Sequence, residues 1–384
     1  MAMGAFGVTG GALIAPALPT LTDAFSVSED RVGLVLSVYT LSAALALPFL
    51  GLLIDRLGRK TVGIGCLLID GTFGIACSFA PSFGVLLILR FFQGIGIAGL
   101  IPVAMTVISD KFMERKLRLR LMGILSGTIA ASAALVPILG GALATQNWRY
   151  PFFVYGFSVF IAIAYAVLIP ETKKKTADIQ SAGREAKDYI ARMKDALSIP
   201  KVRETFAHSF VLYFVLYTLV AFLPLFLVRI HGISAFYAGA ALAIQAALAV
   251  VVASKANWVD DHWSWKPKLT IGFGFVFASL ISLPLWSSTT GVIGSLLAFG
   301  IGMGFVQPAV YHEATAAPPQ ELAGSVVALF NTMKYIGMSS SPFILGFVSR
   351  FYGTEAVFLA AAGFCGAWIL IFNLRRQDTS EPLN

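Results

Sequence analysis

Apolar stretches recur along almost the whole chain, separated by short polar turns. Each is roughly 20 residues long, enough to cross the hydrocarbon core of a bilayer as a helix, and none alternates with the period of two that a barrel strand needs. The pattern predicts twelve helices, near 2–22, 32–54, 61–79, 83–108, 121–143, 150–169, 205–228, 234–255, 268–286, 290–311, 322–348 and 354–374. One long hydrophilic connection divides them six and six. The expected organisation is an N-terminal six-helix bundle (1–169), a linker (170–203), a C-terminal six-helix bundle (204–374) and a short tail (375–384). In the linker, Ala186, Tyr189, Ile190, Met193 and Leu197 share one helical face, which suits a helix lying on the membrane surface.

The two halves echo each other at a constant shift. Pro19 and Pro224 both close a first apolar stretch, and Asp55 and Asp260 both follow a second, each pair 205 residues apart. Gly94-Ile95-Gly96 with Pro102 returns as Gly300-Ile301-Gly302 with Pro308 at a shift of 206, and Pro137 pairs with Pro342 at 205. Landmarks in different helices holding one offset predict two pseudo-symmetric bundles, the plan of many secondary transporters.

Composition sharpens this picture. With 57% hydrophobic and 12% charged residues, the chain carries about half the charge of a typical soluble protein. Cys66, Cys77 and Cys365 all fall inside predicted spans, so neither a disulfide framework nor a spaced metal site is expected. The start lacks a basic leader and a separate cleavage site, and reads as a spanning helix rather than a removable signal. The +8 net charge does not point to nucleic acid, because 22 of the 28 Lys and Arg residues lie in alternate loops or the tail on one side, against four on the other. That asymmetry predicts a multi-pass inner-membrane protein with both termini cytoplasmic. No Gly-Lys-Ser/Thr phosphate loop is present to drive pumping by nucleotide.

The turn after the second predicted helix reads Gly51-Leu-Leu-Ile-Asp55-Arg56-Leu-Gly58-Arg59-Lys60. Gly51 suits a close helix approach, Gly58 a tight turn, and the basic residues stand beside a carboxylate able to pair with them. This loop closely resembles the signature of the major facilitator superfamily, and the resemblance extends over nearly the whole chain. It implies the twelve-helix all-α fold of that superfamily, and a role for Asp55 in a charge network at the cytoplasmic gate. The run Arg90-Phe-Phe-Gln93-Gly94, followed by Gly96 and Gly99, is similar to the superfamily's second motif, which implies that Arg90 is a buried cation involved in proton coupling. Gly123, Pro137, Gly140 and Gly141 resemble the antiporter motif of the twelve-helix drug:proton antiporters, with Ser132 and Val136 where that motif usually has glycine.

Ionisable groups inside membrane helices cost several kcal/mol, so each needs a partner or a wet cavity. Arg90, Lys334 and Asp70 map through the repeat onto Leu296, Ile129 and Phe275 or Val276, so the scaffold's symmetry does not require them. Asp70 lies about 14 Å from one end of its helix and Arg90 about 10 Å from the opposite end of the next, at similar depth. The two are candidates for a proton-coupling pair, with a structural salt bridge as the equal alternative. Lys334 would favour an anionic or zwitterionic substrate. No acidic residue precedes Asp23 in the first helix, which removes one means of selecting lipophilic cations. Tyr39, Gln93, Tyr213, Tyr217, Gln245, Gln307, Tyr311 and Asn331 complete the expected substrate cavity, each also readable as helix packing. His312-Glu313 reads as a gate contact or a solvated helix end.

These features predict a proton-coupled exporter of small amphipathic molecules working by alternating access as a monomer. Its expected partners are a small-molecule substrate and membrane lipid, with no cofactor beyond the coupling proton. Proton-coupled uptake of an organic anion or zwitterion is the alternative, and a non-transporting receptor a more remote one. An enzyme is not expected, since Ser339-Ser340-Ser341 has no histidine on a matched helix.

Overall fold

The computed structural model describes residues 1–168, 193–255, 265–316 and 323–374, and the side chains of these except at a few positions, Asp55 among them. Most of the expected linker helix, Asp260 and the tail with Arg375 and Arg376 lie outside the described residues. Ten of the helices are long and apolar enough to cross a membrane, the last of them a 49-residue stretch, Val326–Leu374. Gly353, at φ 83°, splits that stretch in two, because the left-handed region is open to glycine at no steric cost. With a broken first segment, this makes twelve crossings among the described residues.

The first crossing, α1, departs from the sequence expectation of one helix over 2–22. It runs as Ala2–Phe6, Thr9–Ala12, a tight turn Ala15–Ala17, and Leu18–Phe25. Gly7, Gly10 and Gly11 weaken the helix, while Pro16 and Pro19 cannot donate to the preceding turn. Its repeat mate α7 (Pro200–Arg229) is continuous through Pro224, so the symmetry is broken at this pair. The remaining elements are α2 (Leu34–Leu57, entered through Glu29–Val32), α3 (Arg59–Cys77), α4 (Phe83–Lys111), α5 (Arg115–Ala144) and α6 (Gly156–Leu168, entered through Tyr150–Phe153). In the second half stand α8 (Ala235–Ala253), α9 (Trp265–Ser282), α10 (Thr289–Ala316), α11 (323–352) and α12 (354–374). Gly58, at φ 94°, makes the turn between α2 and α3.

Symmetry is visible at the level of single contacts. A Cβ on Gly96 of α4 would stand 2.6 Å from the Asp70 amide nitrogen of α3, and one on Gly302 of α10 would stand 3.0 Å from the Val276 nitrogen of α9. Only glycine allows such close backbone approach, so the same small residue clamps the same helix pair in both halves. The seam between halves obeys the same two-fold rule: Gly33 of α2 lies on Pro342 of α11, and Gly239 of α8 lies on Pro137 of α5. Likewise Gly346 of α11 meets the Asp30 carbonyl, and Gly141 of α5 meets the Ala235 carbonyl.

All four seam contacts lie toward the face opposite the basic loops. Arg229, at the end of α7, reinforces that face by donating to Thr22 Oγ1 at 2.6 Å, pairing with Asp23, and approaching Glu29 at 3.6 Å. Thr354 of α12 donates to the same Glu29 at 3.0 Å. Toward the basic face α5 stands away from its neighbours: Leu125 is the one buried residue between Arg115 and Val136, and Gly123 and Gly127 have open space around them. Gly51 of α2 also meets nothing within 4 Å, which corrects the expectation of a close helix approach there. The seam contacts therefore join the two bundles at one face, and the basic-side half of α5 is little covered by its neighbours.

Candidate functional site

The centre of the first half holds a continuous buried polar line. Arg90 of α4 is the largest fully buried side chain, and its guanidinium lies 3.9 Å from the centre of the Tyr39 ring of α2. It donates to the Val35 carbonyl at 3.2 Å, to the Gly10 carbonyl at 2.8 Å and to Gln93 Oε1 at 2.8 Å. Gln93 Nε2 then donates to Asp70 Oδ1 at 3.1 Å, and Ser158 of α6 donates to Asp70 Oδ2 at 2.7 Å. Tyr155 of α6 sends its hydroxyl toward the Thr9 and Gly10 carbonyls at 3.3 and 3.4 Å. Five helices thus meet at one charge-neutral array.

Its local logic follows from the break in α1. In hydrocarbon every backbone carbonyl needs a donor, and the Gly10 carbonyl takes Arg90 and Tyr155. A Cβ on Gly10 would fall 1.7 Å from the Tyr39 hydroxyl, so glycine is needed for Tyr39 to lie beneath Arg90. The expected contact between Asp70 and Arg90 is corrected in one respect: Gln93 stands between them as a relay, since its amide can accept from the cation and donate to the anion at once. Gln93 and Tyr39, expected in the cavity wall, are committed to this array and fully buried.

A second cluster stands in the other half. Tyr213 of α7 and Tyr311 of α10 are joined hydroxyl to hydroxyl at 3.0 Å, and Gln307 Nε2 approaches the Tyr213 hydroxyl at 3.4 Å. Lys334 of α11, half-buried, holds its ammonium 5.3 Å from the Tyr213 ring centre and 5.2 Å from that of Tyr335. Among the described residues no carboxylate lies within ion-pair distance of it. Tyr217 of α7 links the two clusters, because a Cβ on Gly11 of α1 would fall 2.5 Å from its hydroxyl. Two expected members stand apart: Asn331 spends its amide on the Val327 carbonyl of its own helix at 2.9 Å, and Gln245 is buried where α8 packs on Gly300 of α10.

At the basic face Arg59 pairs with Asp110, at the end of α4, at 2.8 Å, and also reaches the Ile54 carbonyl at 3.3 Å. Both partners are partly exposed, so the pair contributes at most about 1 kcal/mol of stability. Arg56 and Lys60 flank it in the same turn, and the Asp55 side chain lies outside the described part.

A twelve-crossing bundle pair with small-residue seams and an unsymmetrical charged core is a carrier architecture. Residues 1–342 match the sequence profile of the Major Facilitator Superfamily. The chain belongs to that superfamily. It is a multi-pass secondary transporter of small molecules, not an enzyme. Among curated proteins the transporter is similar to the bacillibactin exporter of Bacillus subtilis (26% identity, covering 98% of this chain and 95% of the relative). It is also similar to the gentisate transporter of Corynebacterium glutamicum (27%, covering 94% and 82%) and to the multidrug resistance protein MdtG of Escherichia coli K12 (26%, covering 98% and 94%). Among solved structures, a bacterial homolog to the human lysosomal transporter Spinster, in an inward-facing and occupied conformation, superimposes with a TM-score of 0.82 at 19% identity, covering 99% of this chain and 97% of the other. At that identity the likeness concerns the fold.

Sequence reasoning missed several members of these arrays. Tyr155 and Ser158 were readable as polar positions three apart on a mostly apolar sixth helix. Asp110 closes the Arg59 pair from a helix end that sequence spacing does not connect to it. Glu313, expected in a gate contact or at a solvated helix end, is buried rather than solvated, with Oε2 3.5 Å from Nδ1 of buried His208. Phe273, Trp368 and Phe372 surround that imidazole. His208 lies inside a predicted span, and that alone was a signal.

Proposed function

We propose that this transporter is a proton-coupled exporter of small amphipathic molecules, resembling the drug:proton antiporter group, that works as a monomer in the inner membrane. The halves 1–169 and 204–374 rock about their two-fold seam, tethered by the linker 170–203, with the tail 375–384 and both termini cytoplasmic. On that orientation the basic face is the cytoplasmic one, and the arrangement is open inward. The observation that carries the reading is the Asp70–Gln93–Arg90 line ending on the broken backbone of α1. Protonation of Asp70 removes the anion that balances Arg90, which changes how strongly the guanidinium is held at Gly10 and Val35. Because Gly11 touches Tyr217 of the other half, a shift of α1 is felt across the seam. A proton and a substrate can then bias opposite facing states, which is the requirement for exchange. The similarity to the bacillibactin exporter supports the outward direction.

In proteoliposomes an imposed proton gradient should drive substrate toward the proton-rich side, and Asp70→Asn should abolish the drive while leaving downhill exchange of substrate. Accumulation of substrate on the same side as the incoming protons would instead support the second reading, proton-coupled uptake of an organic anion. That reading is favoured by Lys334 and by the name of the gentisate transporter.

A further inference from the structure

We infer that the coupling proton sits on Asp70 Oδ2 and that Ser158 of α6 is its acceptor, a positioning residue whose hydroxyl donates to the ionised carboxylate and turns round to accept from the protonated one. This rests on reading Asp70 as the proton carrier, and adds to that reading the atom protonated and the partner that receives its O–H.

The Asp70 carboxylate is fully buried, and among the described residues it accepts two hydrogen bonds, from Gln93 Nε2 on Oδ1 at 3.1 Å and from Ser158 Oγ on Oδ2 at 2.7 Å. Two donors suit an anion. Once protonated, the carboxyl group must itself donate, and a buried donor without an acceptor is costly. The two oxygens differ in what they can offer the proton. On Oδ1 a new O–H would meet the amide N–H of Gln93, donor against donor. Gln93 cannot turn its amide over, because its oxygen accepts from Arg90 Nη1 at 2.8 Å and a guanidinium has only donors to present. The other arms of Arg90 end on the Val35 and Gly10 carbonyls, so the guanidinium is held where it is.

Oδ2 faces a group that can change roles. A serine hydroxyl both donates and accepts, and in a helix it can swing its proton onto the carbonyl three or four residues back, as Ser42 does to Tyr39 at 2.9 Å. Rotation about one side-chain bond converts Ser158 from donor to acceptor without moving a helix. The other titratable or charged groups acting on Asp70 are Cys66 and Cys77 of its own helix, Arg90 of α4, Tyr39 of α2 and Tyr155 of α6. None of them is hydrogen-bonded to the carboxylate among the described residues, and α1 carries no titratable side chain between residues 2 and 22. With the proton on Oδ2, Oδ1 still accepts from Gln93. Protonation therefore leaves the line to Arg90 connected and takes away its negative end.

Packing that the repeat does not impose puts Ser158 there. A Cβ on Gly71 of α3 would stand 2.6 Å from Val159 Cγ2, and one on Gly74 would run into the Tyr155 side chain, so two glycines let α6 lie close against α3. The 205-residue shift pairs Ser158 with Gly363, which has no side chain, and the symmetry of the scaffold calls for no hydroxyl at this position.

The test is infrared difference spectroscopy of the purified full chain in lipid nanodiscs as the pH is lowered, with folding of each variant verified by size exclusion. A protonated carboxyl group has a carbonyl stretch that falls in frequency when its O–H is hydrogen-bonded. Native protein should gain such a band at the hydrogen-bonded end of the range, and Asp70→Asn should lack it. In Ser158→Ala the Asp70 band should move up in frequency, and Ser158→Thr, which keeps the hydroxyl, should return it to the native position. Ser158→Cys, whose thiol is a weak acceptor, should move it part of the way and serves in place of the alanine variant if that one does not fold. An Asp70 band at the native frequency in Ser158→Ala or Ser158→Cys overturns the inference and leaves Asp70 as the proton carrier. No Asp70-dependent band in native protein overturns both. A band that shifts as expected in a protein whose flux ignores the proton gradient overturns the coupling and keeps the proton on Oδ2.

Discussion

Gly10, Tyr39 and Arg90 show how one missing methyl group can hold a buried cation in place. Glycine at position 10 leaves the space that the Tyr39 hydroxyl fills, and Tyr39 lies beneath the guanidinium. Gly10→Ala should lower stability by about 1–3 kcal/mol through overpacking, read as a fall in thermal midpoint in detergent. In a Tyr39→Leu background, which lacks the hydroxyl and the ring atoms that a Cβ would meet at 1.7, 2.0 and 2.2 Å, Gly10→Ala should cost less; simple additivity of the two changes would show that they do not interact. The His208–Glu313 pair allows a second comparison at this scale. A carboxylate left buried without a partner costs more than a neutral imidazole left so, because the penalty for an unsatisfied buried group grows with its charge. His208→Phe should therefore destabilise more than Glu313→Gln, again by thermal unfolding. Equal losses would mean that packing among Phe273, Trp368 and Phe372 dominates instead.

Among elements, α1 and α7 are repeat mates with different fates, one broken and one continuous. The break supplies carbonyls that polar side chains can hold or release, and a continuous helix has none to offer. The same two elements meet again at the face opposite the basic loops, where Arg229 of α7 reaches Thr22 and Asp23 of α1 and Glu29 before α2. The charged partners Asp23 and Glu29 are partly exposed, so Arg229→Gln should change global stability by less than about 1 kcal/mol. That face should open more often all the same, since a small bias moves an equilibrium between two near-equal states. Spin labels at Ala24 and Tyr352, both exposed there, should show a larger long-distance population in the variant. An unchanged distance distribution would reduce Arg229 to a surface ion pair.

At the scale of the whole molecule, the seam is one contact used twice. Gly141 on Ala235 and Gly346 on Asp30 exchange under the 205-residue repeat, so Gly141→Val and Gly346→Val should both pry the closed face apart and bias the protein in the same direction. Thiol labelling from the basic side should fall in both; opposite responses would argue that the seams move independently. The repeat, the twelve crossings, the turn at Gly58 and the depth of Asp70, Arg90 and Lys334 were legible in the sequence, because hydrophobic length, glycine and an interrupting charge are local signals. The break in α1 was half legible: Gly7, Gly10, Gly11, Pro16 and Pro19 were in view, but an apolar run reads the same whether its helix is whole or interrupted. Gln93 looked like a cavity residue because sequence gives the depth of an amide and not its direction around the helix. His208 meeting Glu313, Asp110 meeting Arg59, and Ser158 meeting Asp70 join residues 51 to 105 positions apart. The sequence by itself determined where each helix lies and which charges it must bury. Only the tertiary structure decided which face of each helix turns inward, and so that Arg90 is balanced through Gln93 by Asp70 while Lys334 lies beside the Tyr213 and Tyr335 rings, because that choice is made by packing against helices distant in the chain.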